Sequence, residues 1–266
     1  MKNLSTAAAL AYWKKEGLDH HFAAHAEKQE QGVFDTVSGQ MEHPIPPDLQ
    51  DLVRLHRLIR ERMSFTVLEF GVGFSTIVIA DALQKNKADW KRLEQPPKLR
   101  NRFLFQCFSV DSSAKWLERS QERLPEQFKD TVHFQFSRVE IGTFNGQLCH
   151  FYKNLPDIVP DFIYLDGPDP QTVEGTINGM SFQCMERTVM SGDLLLMEPI
   201  LLPGTFVLVD GRTNNARFLK NNFKRAYEVI WDRQGDVTTF ELIEDRLGKY
   251  NILGKDYIQV QSVKQE

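Results

Sequence analysis

The chain has 266 residues, of which 41% are hydrophobic and 26% charged, and its formal net charge is −4. This composition is ordinary for a soluble globular protein, and the slight negative charge gives no basic field that would attract nucleic acid or an anionic membrane. No apolar run reaches the roughly 18 residues that a membrane-spanning helix needs. The three cysteines (Cys107, Cys149 and Cys184) fit neither a disulfide framework nor a zinc site. We therefore expect a cytoplasmic protein that neither binds nucleic acid nor inserts into a membrane.

The first 47 residues predict a helical and loop extension. An alanine-rich stretch over 7–13 favours a helix, and the glycines and prolines between 32 and 47 are typical of a loop. His20, His21 and His25 lie close together, but no acidic or cysteine ligand follows at a matching spacing, so solvated or capping histidines are preferred over a metal site. We interpret residues 1–47 as a cover over the active site of the domain that follows.

The centre of the chain predicts a strand, a tight turn and a helix within fourteen residues. An amphipathic helix over Asp48–Met63 leads into the apolar run Val67–Phe70. Gly71 and Gly73 then break the run, and a helical apolar pattern resumes over about 75–83. Glycines in such a turn allow a positive φ and let a ligand approach the backbone closely.

The remaining elements alternate between strand and helix. Residues 84–101 predict a surface insertion, 142–154 a loop or small hairpin, and 246–266 a polar tail with one short strand at 257–260. Further strands are predicted at 103–110, 131–136, 161–165 and 205–209, and further helices at 114–124, 176–189, 193–202 and 214–223. Residues 225–231 and 237–243 predict a closing hairpin. The expected fold is α/β, a three-layer doubly wound sheet of about seven strands, mostly parallel with a C-terminal antiparallel hairpin, plus the N-terminal helical extension.

Four of the predicted strands end in groups that suit a ligand: the glycine turn, Asp111, Asp166 and Asp210. Ligands of open α/β sheets bind outside the carboxyl ends of the strands. Asp111 could accept hydrogen bonds from two adjacent ribose hydroxyls, or it could cap the helix that follows it. Thr76 stands where a dinucleotide fingerprint has its third glycine, and no Walker lysine follows, which favours a nucleoside without phosphates.

The segments Glu69–Thr76 and Asp161–Gly167, the strand-terminal Asp111, the Pro203–Gly204 step and the closing hairpin together resemble the class I S-adenosylmethionine-dependent methyltransferases. The resemblance covers about residues 48–245 and implies a methyltransferase domain there. It implies contacts with the cofactor S-adenosylmethionine by six residues: Glu69, Gly71, Gly73, Ser75, Asp111 and Asp166. Within this set, Asp111 would hold the ribose, and Asp166 would face the methionine amino group or act as the catalytic residue.

The implied activity is methyl transfer to the oxygen of a small-molecule or sugar acceptor. Asp166 and Asp210 could share a divalent cation such as Mg²⁺, as the similarity to metal-dependent O-methyltransferases suggests; a plain turn at Asp210–Gly211 is the alternative. Two departures from the family pattern are Ser75, where many members have a third glycine, and Ser137–Val139, which lacks an acidic residue for adenine. A nicotinamide-dependent oxidoreductase and a cofactor-binding protein without transfer activity stay open as other functions.

Overall fold

The computed structural model describes residues 4–26, 48–184 and 186–256. The strands are β1 (Thr66–Phe70), β2 (Gln106–Asp111), β3 (Val132–Phe136), β4 (Val139–Phe144), β5 (Gln147–Tyr152), β6 (Phe162–Leu165), β7 (Val173–Glu174), β8 (Phe206–Asp210), β9 (Tyr227–Asp232) and β10 (Val237–Leu242). The helices are α1 (Thr6–Lys15), α2 (Asp19–Ala26), α3 (Leu49–Glu61), α4 (Phe74–Lys91), α5 (Ala114–Arg123), α6 (Asp193–Met197) and α7 (Thr213–Asn222).

Seven strands form the main sheet, in the order β3-β2-β1-β6-β8-β10-β9. The first five run parallel, and β10 pairs antiparallel with both β8 and β9. The order reverses between β1 and β6, which is the switch point where open α/β sheets bind ligands. The predicted fold class is confirmed, including its closing hairpin. A second sheet, β5-β4-β7, was not predicted.

Alternate residues of the parallel strands face two separate cores, because successive side chains of a strand point to opposite faces. Val67, Phe162 and Leu208 pack with residues of α3 and α4, and we call this the helix side. Leu68, Phe70, Ile163 and Val207 pack with the β4–β5 hairpin, α6 and α7, which we call the hairpin side.

The N-terminal extension lies against the helix side. Ala9 and Trp13 of α1, together with Leu18, share a core with residues of α3 and α4. Asp48 caps α3 by accepting a hydrogen bond from Gln50 N at 2.6 Å. The remainder of the predicted cover, residues 27–47, and the predicted strand at 257–260 lie outside the described residues. The domain boundaries at 47 and 245 stay predictions.

The structure corrects the predicted limits of α4 and β2. Helix α4 continues to Lys91, so the insertion predicted from residue 84 was wrong over its first eight positions. The extra turns bury Trp90 against Phe65 and Phe105, and this packing outweighs the charged residues around it. Strand β2 begins later than predicted because Phe105 has φ 60°, which no strand residue adopts.

Two predictions for the connecting segments had different outcomes. The hairpin at 142–154 is confirmed as β4 and β5, joined at Asn145 and Gly146, whose φ angles of 49° and 74° are typical of a two-residue turn. The helix at 176–189 was wrong: Gly175, Asn178 and Gly179 all have positive φ, which breaks a helix. None of the helices in the described ranges is long and apolar enough to cross a membrane.

Candidate functional site

The turn after β1 contacts the turn after β6, backbone to backbone. Gly71 has φ +90°, and a Cβ there would lie 3.0 Å from Gly167 N. A Cβ on Gly167 would in turn lie 2.6 Å from Gly71 N. Both positions therefore require glycine. Gly73 differs, because a Cβ there would meet no atom of the described residues within 4 Å. The second glycine borders open space at the carboxyl end of the sheet.

Glu69 lies beneath this turn and supports it. Its carboxylate accepts hydrogen bonds from the hydroxyls of Ser75, Thr76 and Ser109 at 2.6, 2.7 and 2.6 Å. Burial raises the pKa of Glu69 to about 7, and the three hydroxyls oppose the shift. Glu69 is fully buried, so it fixes the start of α4 from below. The predicted contacts of Glu69 and Ser75 with a cofactor stay predictions.

Asp111 ends β2 and joins that strand to the glycine turn. Its Oδ2 accepts from Val72 N at 2.9 Å, and its Oδ1 accepts from Ser113 N at 2.7 Å. Asp111 is not the helix cap that was predicted as the alternative: Ser113 caps α5 by accepting from Trp116 N at 3.3 Å, and the bond from Ser113 N to Asp111 closes the turn before that helix. A carboxylate has about four acceptor sites, so both oxygens can still accept a further hydrogen bond. Burial raises the pKa of Asp111, and the backbone donors oppose the shift.

Asp166 and Asp210 end the two neighbouring strands β6 and β8. The side chain of Asp166 is about half exposed, and its Oδ1 lies 3.7 Å from Arg212 Nε. Arg212 also donates to Pro168 O at 3.1 Å and to the main-chain oxygen of Asp166. Asp210 accepts from Tyr164 Oη at 2.6 Å. Burial raises the pKa of both carboxyls. At Asp166 the exposed half of the side chain is solvated, which weakens this effect.

A second ion pair lies near these strand ends, from the first turns of α3. Arg54 is buried and donates to Asp51 Oδ1 at 2.8 Å. Burial, followed by the charge of Asp210, raises the pKa of Asp51 to about 6. Arg54 in turn favours the ionised form of Asp210. The strand ends thus carry carboxylates interleaved with guanidinium groups.

These side chains give no support for a metal at Asp166 and Asp210. Asp210 is engaged by Tyr164, and Asp166 faces the cationic Arg212. Within the described ranges, no group of three or more His, Cys, Asp or Glu residues could hold a metal ion. His21, one of the three N-terminal histidines, instead approaches Asp81 Oδ1 with its Nε2 at 3.1 Å.

Sequence reasoning missed three residues near the site: His150 and Tyr152 on β5, and Arg212. His150 and Tyr152 are buried on the hairpin side. The signal for them was a histidine inside an otherwise apolar, aromatic run, Cys149–Tyr152. Arg212 follows the Asp210–Gly211 turn and had no pattern that marked it.

No family model matches the chain, and no curated protein matches it significantly. Three solved structures illustrate what the fold is similar to. The S-adenosylhomocysteine-bound methyltransferase PaMTH1 of Podospora anserina is 14% identical with a TM-score of 0.46, covering 86% of this chain and 97% of that one. The O-methyltransferase TomG of Streptomyces achromogenes with S-adenosylmethionine is 14% identical, with a TM-score of 0.42 and coverages of 75% and 82%. The O-methyltransferase of Bacillus cereus with S-adenosylhomocysteine is 13% identical, with a TM-score of 0.40 and coverages of 88% and 91%. Identities this low concern the fold alone, and function is inferred below from the chain's own residues.

Proposed function

We propose that this chain is an S-adenosylmethionine-dependent methyltransferase acting at an oxygen of a small-molecule or sugar acceptor. The observation that carries the proposal is the hydrogen bond from Val72 N to Asp111 Oδ2 at 2.9 Å. It joins the carboxylate at the end of β2 to the glycine turn at the end of β1, next to the open space at Gly73. A nucleoside across these two strand ends would meet bare backbone on one side and a ribose-binding carboxylate on the other.

When bound, S-adenosylmethionine supplies a sulfonium methyl group that an acceptor oxygen attacks in line, so the protein's main task is to hold the two in position. Asp111 has acceptor sites left for the ribose hydroxyls. Gly73 leaves room for the methionine part. Asp166 and Asp210 lie at the carboxyl ends of the neighbouring strands β6 and β8, where their carboxylates would face the cationic end of such a ligand. The proposal uses no metal, because the side chains at those two aspartates do not fit one.

The turn favours a nucleoside over a dinucleotide. Thr76, at the position of the third glycine of a dinucleotide fingerprint, is buried and donates to Glu69 at 2.7 Å. Its hydroxyl also accepts from Gly73 N at 3.3 Å. This threonine thereby ties the turn to Glu69 from within. A cytoplasmic location and the absence of nucleic-acid binding stay predictions from composition and charge.

Calorimetry with S-adenosylhomocysteine and with NAD⁺ tests the proposal. We expect the first ligand to bind and Asp111→Ala to weaken it by roughly 1.5–3 kcal/mol, about 10- to 150-fold, the scale of a hydrogen bond to a charged group. Asp157→Ala is the control, because that side chain is 98% exposed and pairs with Arg102 at the surface; it should bind as the wild type does. Binding of NAD⁺ alone, or full affinity in folded Asp111→Ala, would contradict the proposal.

A further inference from the structure

Five buried polar side chains meet on the hairpin side: His150 and Tyr152 of β5, Ser191, Asp193 at the start of α6, and Asn215 in the first turn of α7. We call them the polar cluster. Ser191 N donates to Asn215 Oδ1 at 2.9 Å, and Tyr152 N donates to Asp193 Oδ1 at 3.1 Å. The His150 and Tyr152 rings lie 5.9 Å apart in an edge-to-face arrangement. Three chain segments thus converge on one point.

Most of the polar ends in this cluster are unpartnered. Within the described ranges, no hydrogen-bond partner exists for either ring nitrogen of His150, for Tyr152 Oη, for Ser191 Oγ or for Asn215 Nδ2. His150 Nε2 comes no closer than 3.9 Å to Asp193 Oδ2. Each buried polar atom without a partner costs folding free energy, and such atoms are rare in native proteins. So many in one place indicate a role other than stability.

The polar cluster lies beside the candidate cofactor site. The Tyr152 ring packs 5.3 Å from that of Phe70, the last residue of β1. After burial, the charge of Asp111 is the largest influence that raises the pKa of Tyr152, whereas Arg212 lowers it. Arg212 follows the end of β8, and Asn215 lies three positions after it, in α7. The cluster therefore meets the same strand ends from the hairpin side.

The chemistry of the unpartnered atoms selects a ligand class. Burial lowers the pKa of His150 to about 3, so its ring is neutral at physiological pH and offers one donor and one acceptor. Tyr152 and Ser191 can each donate and accept, and Asn215 Nδ2 donates. Hydroxyl groups complement such a mixture. The surrounding core is apolar, and burial raises the pKa of Asp193, the one carboxyl of the cluster, to about 7. A charged ligand would therefore lose its hydration there with little opposite charge in return.

We infer that the polar cluster binds the hydroxyl groups of an uncharged methyl acceptor, with Tyr152 at the end nearest the cofactor. This inference rests on the proposed function and names the class of substrate. In this inference, the hydroxyls of Tyr152 and Ser191 form hydrogen bonds with the acceptor.

The experiment uses Tyr152→Phe and Ser191→Ala, which each remove one unpartnered hydroxyl. Small molecules extracted from the protein's own cells are separated by ion exchange into charged and uncharged fractions, and each is incubated with enzyme and methyl-labelled S-adenosylmethionine. We expect label in products of the uncharged fraction and at least a tenfold loss of transfer in both variants. Affinity for S-adenosylhomocysteine should stay within twofold of the wild type. Label confined to the charged fraction, or variants that transfer at the wild-type rate, would overturn this inference alone. If the wild-type protein does not bind S-adenosylhomocysteine, the proposed function itself is refuted.

Thermal unfolding supplies a second readout, which a merely structural role would move in the opposite direction. Tyr152→Phe and Ser191→Ala should leave the unfolding midpoint unchanged or raise it, because the lost hydroxyls have no partner to lose. Tyr12→Phe is the matched control: Tyr12 Oη lies 2.7 Å from His56 Nδ1, far from the cluster, so its loss should lower the midpoint. A lower midpoint in the cluster variants would show hydroxyls held by structural water and would overturn the inference.

Discussion

The two sides of the main sheet bury polar groups in opposite ways. On the helix side, Asp81 lies within hydrogen-bond distance of His21, His56 and Lys85, at 3.1, 2.9 and 2.7 Å. Asn86 beside it donates to two main-chain oxygens at 3.0 and 3.1 Å. On the hairpin side, the polar cluster is equally buried, yet most of its polar ends have no partner in the described part of the chain. Burial alone thus does not distinguish a structural polar group from a functional one; its hydrogen bonds do.

The largest expected effect comes from removing the hydrogen-bonded carboxylate on the helix side. Asp81→Ala removes the hydrogen bonds to His21, His56 and Lys85, although Lys85 keeps Glu16 as a partner. We therefore expect a loss of about 3 kcal/mol in the free energy of unfolding, the upper end of the range for hydrogen bonds to a charged group. Urea denaturation followed by circular dichroism measures it. Asp157→Ala serves as control, since its surface pair should contribute nothing measurable. Equal stability of the two variants would mean that the helix side does not depend on this pairing.

The two sides should also differ in their response to pH. Although burial alone would raise it, hydrogen bonds from His21, His56 and Lys85 hold the pKa of Asp81 below its ordinary value. The stability that Asp81 contributes is therefore present at neutral pH and is lost as the pH falls through the folded-state pKa. Burial raises the pKa of Asp193 to about 7. Its contribution has the opposite sign: it is complete below pH 4 and is lost as the pH rises toward 7.

Asp193→Asn isolates the second effect, because the amide cannot ionise and its oxygen can still accept from Tyr152 N. Relative to the wild type, this variant should gain about 1.4 kcal/mol for each pH unit between about 4 and 7. Denaturant unfolding at several pH values measures the slope. A constant difference between variant and wild type across this range would show that Asp193 titrates normally.

The smallest stability effect separates the two glycines of the turn. Gly71→Ala would place a Cβ 3.0–3.2 Å from the backbone of Gly167 and Asp166 at φ +90°, and we expect it to cost about 1–3 kcal/mol. Gly73→Ala grows into open space and should change stability by less than about 0.5 kcal/mol. Calorimetry should nevertheless show weaker S-adenosylhomocysteine binding in Gly73→Ala. Unchanged affinity there would place the cofactor elsewhere.

Local patterns were sufficient for the helix side and the parallel strands. The apolar run of β1, its two glycines and the helical period of α4 are all encoded within fourteen residues, and the structure has that order. Arg54 shows the limit of such patterns. The amphipathic pattern of α3 predicts that its arginines face water, yet Arg54 is 7% exposed, because it pairs with Asp51 and lies near the ends of the parallel strands. Its environment is set by residues far away in the chain.

The hairpin side was harder to predict for the same physical reason. The sequence predicts a helix at 176–189, but Asn178 and its neighbouring glycines have positive φ, which a helix does not allow. The histidine in an aromatic run was a weak signal for His150 and Tyr152, because their neighbours Ser191 and Asn215 come from two segments much later in the chain. Strand-end positions such as Asp111 were predictable because a parallel sheet places all its carboxyl ends at one edge.

The β4–β5 hairpin also bears on the order in which this protein folds. Its two-residue turn aligns Ile141 with His150 and Val139 with Tyr152, and such hairpins close within about 1–10 μs. The pairing of β1 with β6, by contrast, joins segments almost a hundred residues apart, and distant parallel pairings form slowly. Strand β5, which carries His150 and Tyr152, can therefore pair with β4 before the main sheet has formed. Substitutions at Asn145 and Gly146 should then slow formation of the polar cluster and leave the folding rate of the helix side unchanged.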